Sequence, residues 1–68
     1  MGVSDASEAT EVATRFVRQY YPLCWPKRAE RQDDVWRVEI NFSIVGERIG
    51  WVEVDARTGQ ILRYELPG

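Results

Sequence analysis

The sequence predicts an α+β domain in which one N-terminal helix packs on a three-stranded antiparallel β-meander. Three observations predict it: an apolar stripe at helical spacing in residues 5–21, alternation of apolar and polar residues in residues 36–44, and two glycine-containing breaks that separate two further strand-like runs. At 68 residues the chain has room for one domain. Burial only narrowly offsets chain entropy at this size, so added stability often comes from a partner or a second copy.

The helix is predicted over residues 5–21. Its apolar positions recur at steps of three and four: Ala6, Ala9, Val12, Ala13, Phe16, Val17, Tyr20 and Tyr21. Asp5 and Glu8 have the spacing of a capping box at the start. Pro22 disfavours a helical residue before it, so we expect the helix to end at about Tyr21.

Residues 22–34 are predicted to be a connector. Prolines and charged residues give them no clear period, and both a turn of helix starting at Pro26 and an irregular loop remain open. Leu23 and Trp25 are expected to cover one end of the core. Cys24 is the single cysteine and cannot form an intramolecular disulfide, so it is expected to be a small core residue, with a reactive or intermolecular thiol as the alternative.

The β-meander is predicted over residues 35–66, with strands at about 36–44, 48–55 and 60–66. In the first strand every second residue is apolar, which is the period of a strand with one solvated face. The residues expected to meet the helix are Trp36, Val38, Ile40, Phe42, Val52 and Val54, opposite Ala9, Ala13, Phe16, Val17 and Tyr20.

The turn between the second and third predicted strands has the most specific local motif, Asp55-Ala56-Arg57-Thr58-Gly59. Asp55 and Thr58 can accept hydrogen bonds from amides of the turn, and Gly59 supplies the positive φ that a type I turn with a bulge requires. A cation site on Asp55 is the functional alternative, but a divalent ion needs several convergent oxygens and only Glu53 is near in sequence.

The sheet face away from the helix is the main functional indication. Whichever way the strands register, at least one of Ile49, Trp51, Ile61 and Leu62 is left on that face. Large apolar side chains exposed together mark interaction sites. We therefore take Ile49, Trp51 and Ile61 as candidate partner-binding residues.

The hairpin motif also carries a resemblance to a known family. A helix with alanine and aromatic positions, a strand opening with Trp36-Arg37-Val38, and the run Val52-Glu53-Val54-Asp55-Ala56-Arg57-Thr58-Gly59-Gln60-Ile61-Leu62 resemble the PepSY family over about residues 9–64. Its members are small α+β modules of metallopeptidase propeptides, membrane sensors and solitary domains. The resemblance implies a non-catalytic binding or regulatory module that binds or restrains a peptidase through an uncovered sheet face or edge.

The residue inventory argues against an enzyme and against a metal or cofactor site. There is no histidine, which removes the commonest general base and metal ligand, and one cysteine without a histidine is not a nucleophile system. The expectation is a protein partner, or a homodimer formed through the same uncovered face.

Nucleic-acid binding is a weaker alternative. It would use the basic residues Arg15, Arg18, Lys27, Arg28 and Arg31, with Trp25 among them. The formal net charge of -2 argues against it. No signal peptide or membrane-spanning run is recognisable, so we expect a cytoplasmic protein, or an extracytoplasmic one if the chain is excised from a longer precursor.

Overall fold

A computed structural model describes residues 2–67. In chain order the elements are α1 (Ala6–Val17), β1 (Trp25–Gln32), β2 (Val35–Asn41), β3 (Ile49–Asp55) and β4 (Ile61–Glu65). The strands form one antiparallel sheet in the order β1-β2-β3-β4, and α1 packs mainly on β1, β2 and β3. The predicted α+β class is confirmed. The predicted number of three strands is wrong, because the described sheet has four.

The additional strand is β1, which occupies most of the predicted connector. It pairs with β2 from Trp25 opposite Asn41 to Gln32 opposite Val35, with a register shift after Pro26. The residues between these strands, 33 and 34, make a two-residue hairpin in which Asp33 has φ 57°, a left-handed conformation that aspartate tolerates. Only one side chain of this edge strand is half-buried and the others are exposed, so its sequence has no apolar period from which a strand could be predicted.

Helix α1 begins at a capped end and ends earlier than predicted. Asp5 is the N-cap, and its side chain accepts a hydrogen bond from the Glu8 amide at 2.8 Å. The Ser4 hydroxyl and amide donate in turn to the Glu8 carboxylate, and these bonds lower the pKa of Glu8. At the other end, the amide of Tyr20 bonds to the Val17 carbonyl oxygen at 2.9 Å, so the chain tightens into a turn after Val17.

The core lies between α1 and the helix-facing side of the sheet. Its fully enclosed side chains are Ala9, Ala13, Val17, Val38, Ile40, Val52 and Val54. Trp36 closes one end, where its indole Nε1 donates to the Val3 carbonyl oxygen at 3.1 Å. Cys24 is buried as a free thiol within the same cluster. Tyr20, expected to face the sheet, is instead 60% exposed because the helix has ended before it.

The hairpin turn between β3 and β4 is held by Asp55. Its Oδ1 accepts from the amides of Arg57 (2.7 Å) and Thr58 (3.3 Å), and its carbonyl oxygen accepts from Gly59 (2.8 Å). The Thr58 hydroxyl oxygen accepts from the Gln60 amide at 3.2 Å, and Gly59 has φ 79°. The turn residues are therefore used by the hairpin itself, which places β4 beside β3.

Replacing Asp55 by alanine is expected to lower the free energy of unfolding by about 1–2 kcal/mol, because two amides of the turn lose their acceptor. Urea denaturation followed by tryptophan fluorescence measures the change. Asp55→Asn is the matched control, since an amide oxygen can still accept both bonds, and it should lose less than half as much. Equal losses for the two variants would contradict the acceptor role.

Candidate protein-binding surface

The three predicted partner-binding residues do not share one surface. In β3 the residues Gly50, Val52 and Val54 are buried against the helix side, so Ile49 and Trp51 lie on the opposite, uncovered face. Ile49 is 39% exposed and Trp51 is half-buried. Ile61 instead pairs with Val54 and packs against the core on the helix side.

The uncovered face is charged rather than apolar. At one level of the sheet, each of the four strands contributes one charged residue, and the signs alternate: Glu30, Arg37, Glu53 and Arg63. Arg63 Nη2 lies 2.8 Å from Glu53 Oε1, and Arg37 Nη1 lies 3.8 Å from Glu53 Oε2. Between these arginines Glu53 is only 8% exposed. The charges of this face therefore find partners within the sheet.

Trp51 is part of this charged face. The Arg37 guanidinium carbon lies 4.3 Å from the centroid of the Trp51 ring, a distance typical of a cation–π contact. The stacked arginine covers part of the indole, which explains why so large a side chain is only half-exposed on an open sheet face. Trp25, which is paired with Asn41 and 43% exposed, lies on this face as well, so its large apolar residues are Trp25, Ile49 and Trp51.

A groove beside β4 exposes more aromatic surface. Because α1 lies over the first three strands, the helix side of β4 is left open, and Phe16 reaches its border, 5.0 Å from the Tyr64 ring centroid. Tyr20 and Tyr64 are 60% and 53% exposed. The groove measures about 590 Å³ and is lined by Gln19, Tyr20, Tyr21, Tyr64 and Leu66. We call it the aromatic groove.

The aromatic groove is continuous with an open sheet edge. Within residues 2–67, both β1 and β4 have a strand neighbour on one side only. β1 has the features that protect an edge, with Pro26 near its start and charged residues along its length. β4 has no proline, and its Leu62 and Tyr64 are exposed. Of the two edges, β4 is the better fitted to accept another strand.

A second exposed apolar area lies at the loop between β2 and β3. Ile44 and Val45 are 78% and 87% exposed there. The predicted first strand extended through Ile44, but β2 ends at Asn41, whose Oδ1 accepts from the amides of Ser43 (3.0 Å) and Arg48 (3.3 Å) and so bends the chain. Neither of these two side chains lines the aromatic groove, whereas Tyr64 does.

Four of the five basic residues proposed to bind nucleic acid, Arg15, Lys27, Arg28 and Arg31, form ion pairs with carboxylates. Arg15 pairs with Glu11 at 3.0 Å, and Arg31 lies 3.7 Å from Asp34. Lys27 pairs with Glu47, and Arg28 pairs with Glu30 and lies 4.0 Å from Glu39. Alternating charge of this kind presents little net positive field to a phosphate backbone.

Among residues 2–67, no three His, Cys, Asp or Glu side chains are placed to hold a metal ion. No helix in that range is long and apolar enough to cross a membrane.

Comparison of the chain with protein-family models, with curated proteins and with solved structures found no match. The proposed function therefore rests on the residues, their surroundings and the resemblance described above.

Proposed function

We propose that this chain is a non-catalytic protein-binding module of regulatory type, and that its binding surface is the β4 edge together with the aromatic groove. One observation carries the proposal: a proline-free edge strand lies directly beside exposed aromatic rings. An extended segment can join such an edge through main-chain hydrogen bonds while its alternate side chains enter the neighbouring groove. Tyrosine is also among the residues that dominate binding energy at protein interfaces.

The resemblance of residues 9–64 to PepSY modules supports a peptidase as the partner class. In such a complex the β4 edge would hold an extended segment of the peptidase and restrain it. This chain would contribute binding and no chemistry, in keeping with the absence of histidine from its sequence.

Binding through the uncovered sheet face is the less favoured alternative. That face was expected to offer Ile49 and Trp51 to a partner or to a second copy. Covering it would desolvate Glu53 and the two arginines that flank it, and the cost of removing such groups from water offsets much of the gain. Arg37 also already occupies one side of the Trp51 ring.

Tyr64→Asp is expected to weaken binding at the β4 edge at least tenfold, because it removes an aromatic ring and places a charge beside the groove. Peptides selected from a random display library against the wild-type chain, measured by fluorescence anisotropy, provide the readout. Val45→Asp makes a comparable change at an exposed apolar residue away from the edge, so it should leave the affinity unchanged.

Two results would contradict the proposal. One is a library that yields no peptide dependent on Tyr64. The other is the opposite order of effects, with Val45→Asp abolishing binding and Tyr64→Asp preserving it, which would move the site to the loop between β2 and β3. Circular dichroism of both variants establishes that each has kept the fold.

A further inference from the structure

We infer that, when no other protein is bound there, the β4 edge is occupied by a second copy of this chain, paired antiparallel so that Tyr64 of one copy lies opposite Tyr64 of the other. The inference rests on the proposed function, because it names the partner of the same edge. The resulting dimer has one continuous eight-stranded sheet, in which β4 of each copy is no longer an edge. The outer edges are then the two β1 strands, which carry the protective proline and charges.

Charge complementarity selects the register. Around a two-fold axis perpendicular to the sheet, a β4 residue meets either itself or a residue an even number of positions away, because opposed side chains must lie on the same face. A register centred on Arg63 places arginine against arginine, and one centred on Glu65 places glutamate against glutamate. A register centred on Leu62 opposes no two charged residues, whereas centring on Tyr64 places Arg63 of each copy opposite Glu65 of the other and so gains two pairs of opposite charge. Like charges directly opposed are destabilising, whereas opposite charges contribute favourably.

The exposed rings favour the same register. Tyr64 lies on the helix side of the sheet, where it contacts Phe16, and it is 53% exposed. A two-fold axis perpendicular to the sheet keeps both helices on one side, so the two aromatic grooves meet across the new strand pair. Directly opposed aromatic residues form favourable cross-strand pairs, and a domain this small gains stability from the added burial.

Cysteine cross-linking tests the register. Opposed Cα atoms of an antiparallel pair are about 4.5–5.5 Å apart, which suits a disulfide. Tyr64→Cys is therefore expected to form a disulfide-linked dimer in a glutathione redox buffer, with the bond mapped by peptide mass spectrometry. Native Cys24 is buried, so it is the internal reference for a thiol that should not cross-link.

Two further cysteine variants provide matched controls. With Tyr64 at the centre, position 63 of one copy is about 8 Å from position 63 of the other, given a strand rise of about 3.4 Å per residue and a strand spacing of about 4.8 Å. That separation exceeds disulfide range, and the same holds for position 65. Arg63→Cys and Glu65→Cys are thus expected to remain unlinked when alone and to form a one-to-one cross-linked dimer when mixed.

A charge exchange gives an independent readout. Glu65→Arg and Arg63→Glu should each raise the dissociation constant of the dimer at least tenfold, measured by sedimentation equilibrium, because each creates like-charge pairs. Mixed together they should form a heterodimer of wild-type affinity, since every opposed pair is again of opposite sign. Arg63→Glu also places a carboxylate near Glu53, so its fold is checked by circular dichroism, and the cysteine mixture tests the register if that variant does not fold.

A wild-type chain that stays monomeric across the micromolar to millimolar range overturns the inference. So does cross-linking of Arg63→Cys alone with the efficiency of Tyr64→Cys. If that monomer still binds library peptides in a Tyr64-dependent manner, the self-pairing inference fails and the proposed function stands. If the wild type dimerises in the expected register and binds no peptide, the edge serves self-association alone and the proposed binding of a different protein fails.

Discussion

Ile40→Ala is expected to lower the free energy of unfolding by about 2–5 kcal/mol, because it leaves a cavity in the core. Ile40 is 0% exposed and belongs to the core cluster between the sheet and α1. Domains hold only roughly 0.05–0.15 kcal/mol of stability per residue, so the substitution removes a large share of what a chain of 68 residues has. Urea denaturation followed by circular dichroism measures the loss.

Ile44→Ala is the matched control for that prediction. It removes the same atoms from a side chain that is 78% exposed on the loop after β2. The expected change is within about 0.5 kcal/mol. Comparable losses at both positions would mean that Ile44 is buried and that β2 continues beyond Asn41.

The contrast between these two isoleucines shows how far alternation predicts a strand. Both continue the same every-second-residue pattern, and the pattern correctly places Trp36, Val38 and Ile40 on the buried face. It carries no information about the side chain of Asn41, which accepts bonds from amides of the following loop at the end of β2. Periodicity reports which face is apolar, whereas a strand end is decided by local hydrogen bonds.

Strand β1 could not be predicted by the same reasoning. Its side chains are exposed except for the half-buried Ala29, so it gains its place from main-chain bonds to β2 and has no apolar period. The two-residue hairpin at positions 33 and 34 was a usable signal, because aspartate tolerates the left-handed conformation that such a turn needs. That signal predicts a hairpin only when a strand is recognised on each side of the turn, and the residues before position 33 show no strand pattern.

The candidate site depends on register, which a single strand does not specify. Ile49 and Trp51 were predicted from their size, but the cross-strand neighbour Arg37, which stacks on Trp51, follows only from the pairing of β2 with β3. Tyr64 was not among the predicted partner-binding residues. The imperfect alternation of the last strand, with apolar residues on both faces, was the signal that this strand lacks full cover.

Gly50→Ala is expected to cost about 3 kcal/mol, near the upper end for overpacking, because a Cβ at this position has no space. It would lie 2.7 Å from the Glu65 carbonyl oxygen, 2.9 Å from Phe42 Cε2 and 3.0 Å from Pro67 Cδ. Phe42 can rotate at moderate cost, but the Glu65 oxygen belongs to the backbone of β4, so relief would displace the end of that strand.

Gly46→Ala separates this steric effect from the loss of a glycine as such. Gly46 has φ 74°, and a Cβ added there would have no atom within 4 Å. Gly46→Ala is therefore expected to cost only the backbone strain of a left-handed residue, about 1 kcal/mol. Thermal and urea denaturation of the two variants give the comparison. Gly50→Ala should also impair association at the β4 edge, since Glu65 opposes Arg63 of the second copy in the inferred dimer, whereas Gly46→Ala should not. Equal behaviour of both variants would mean that the end of β4 does not pack closely on β3.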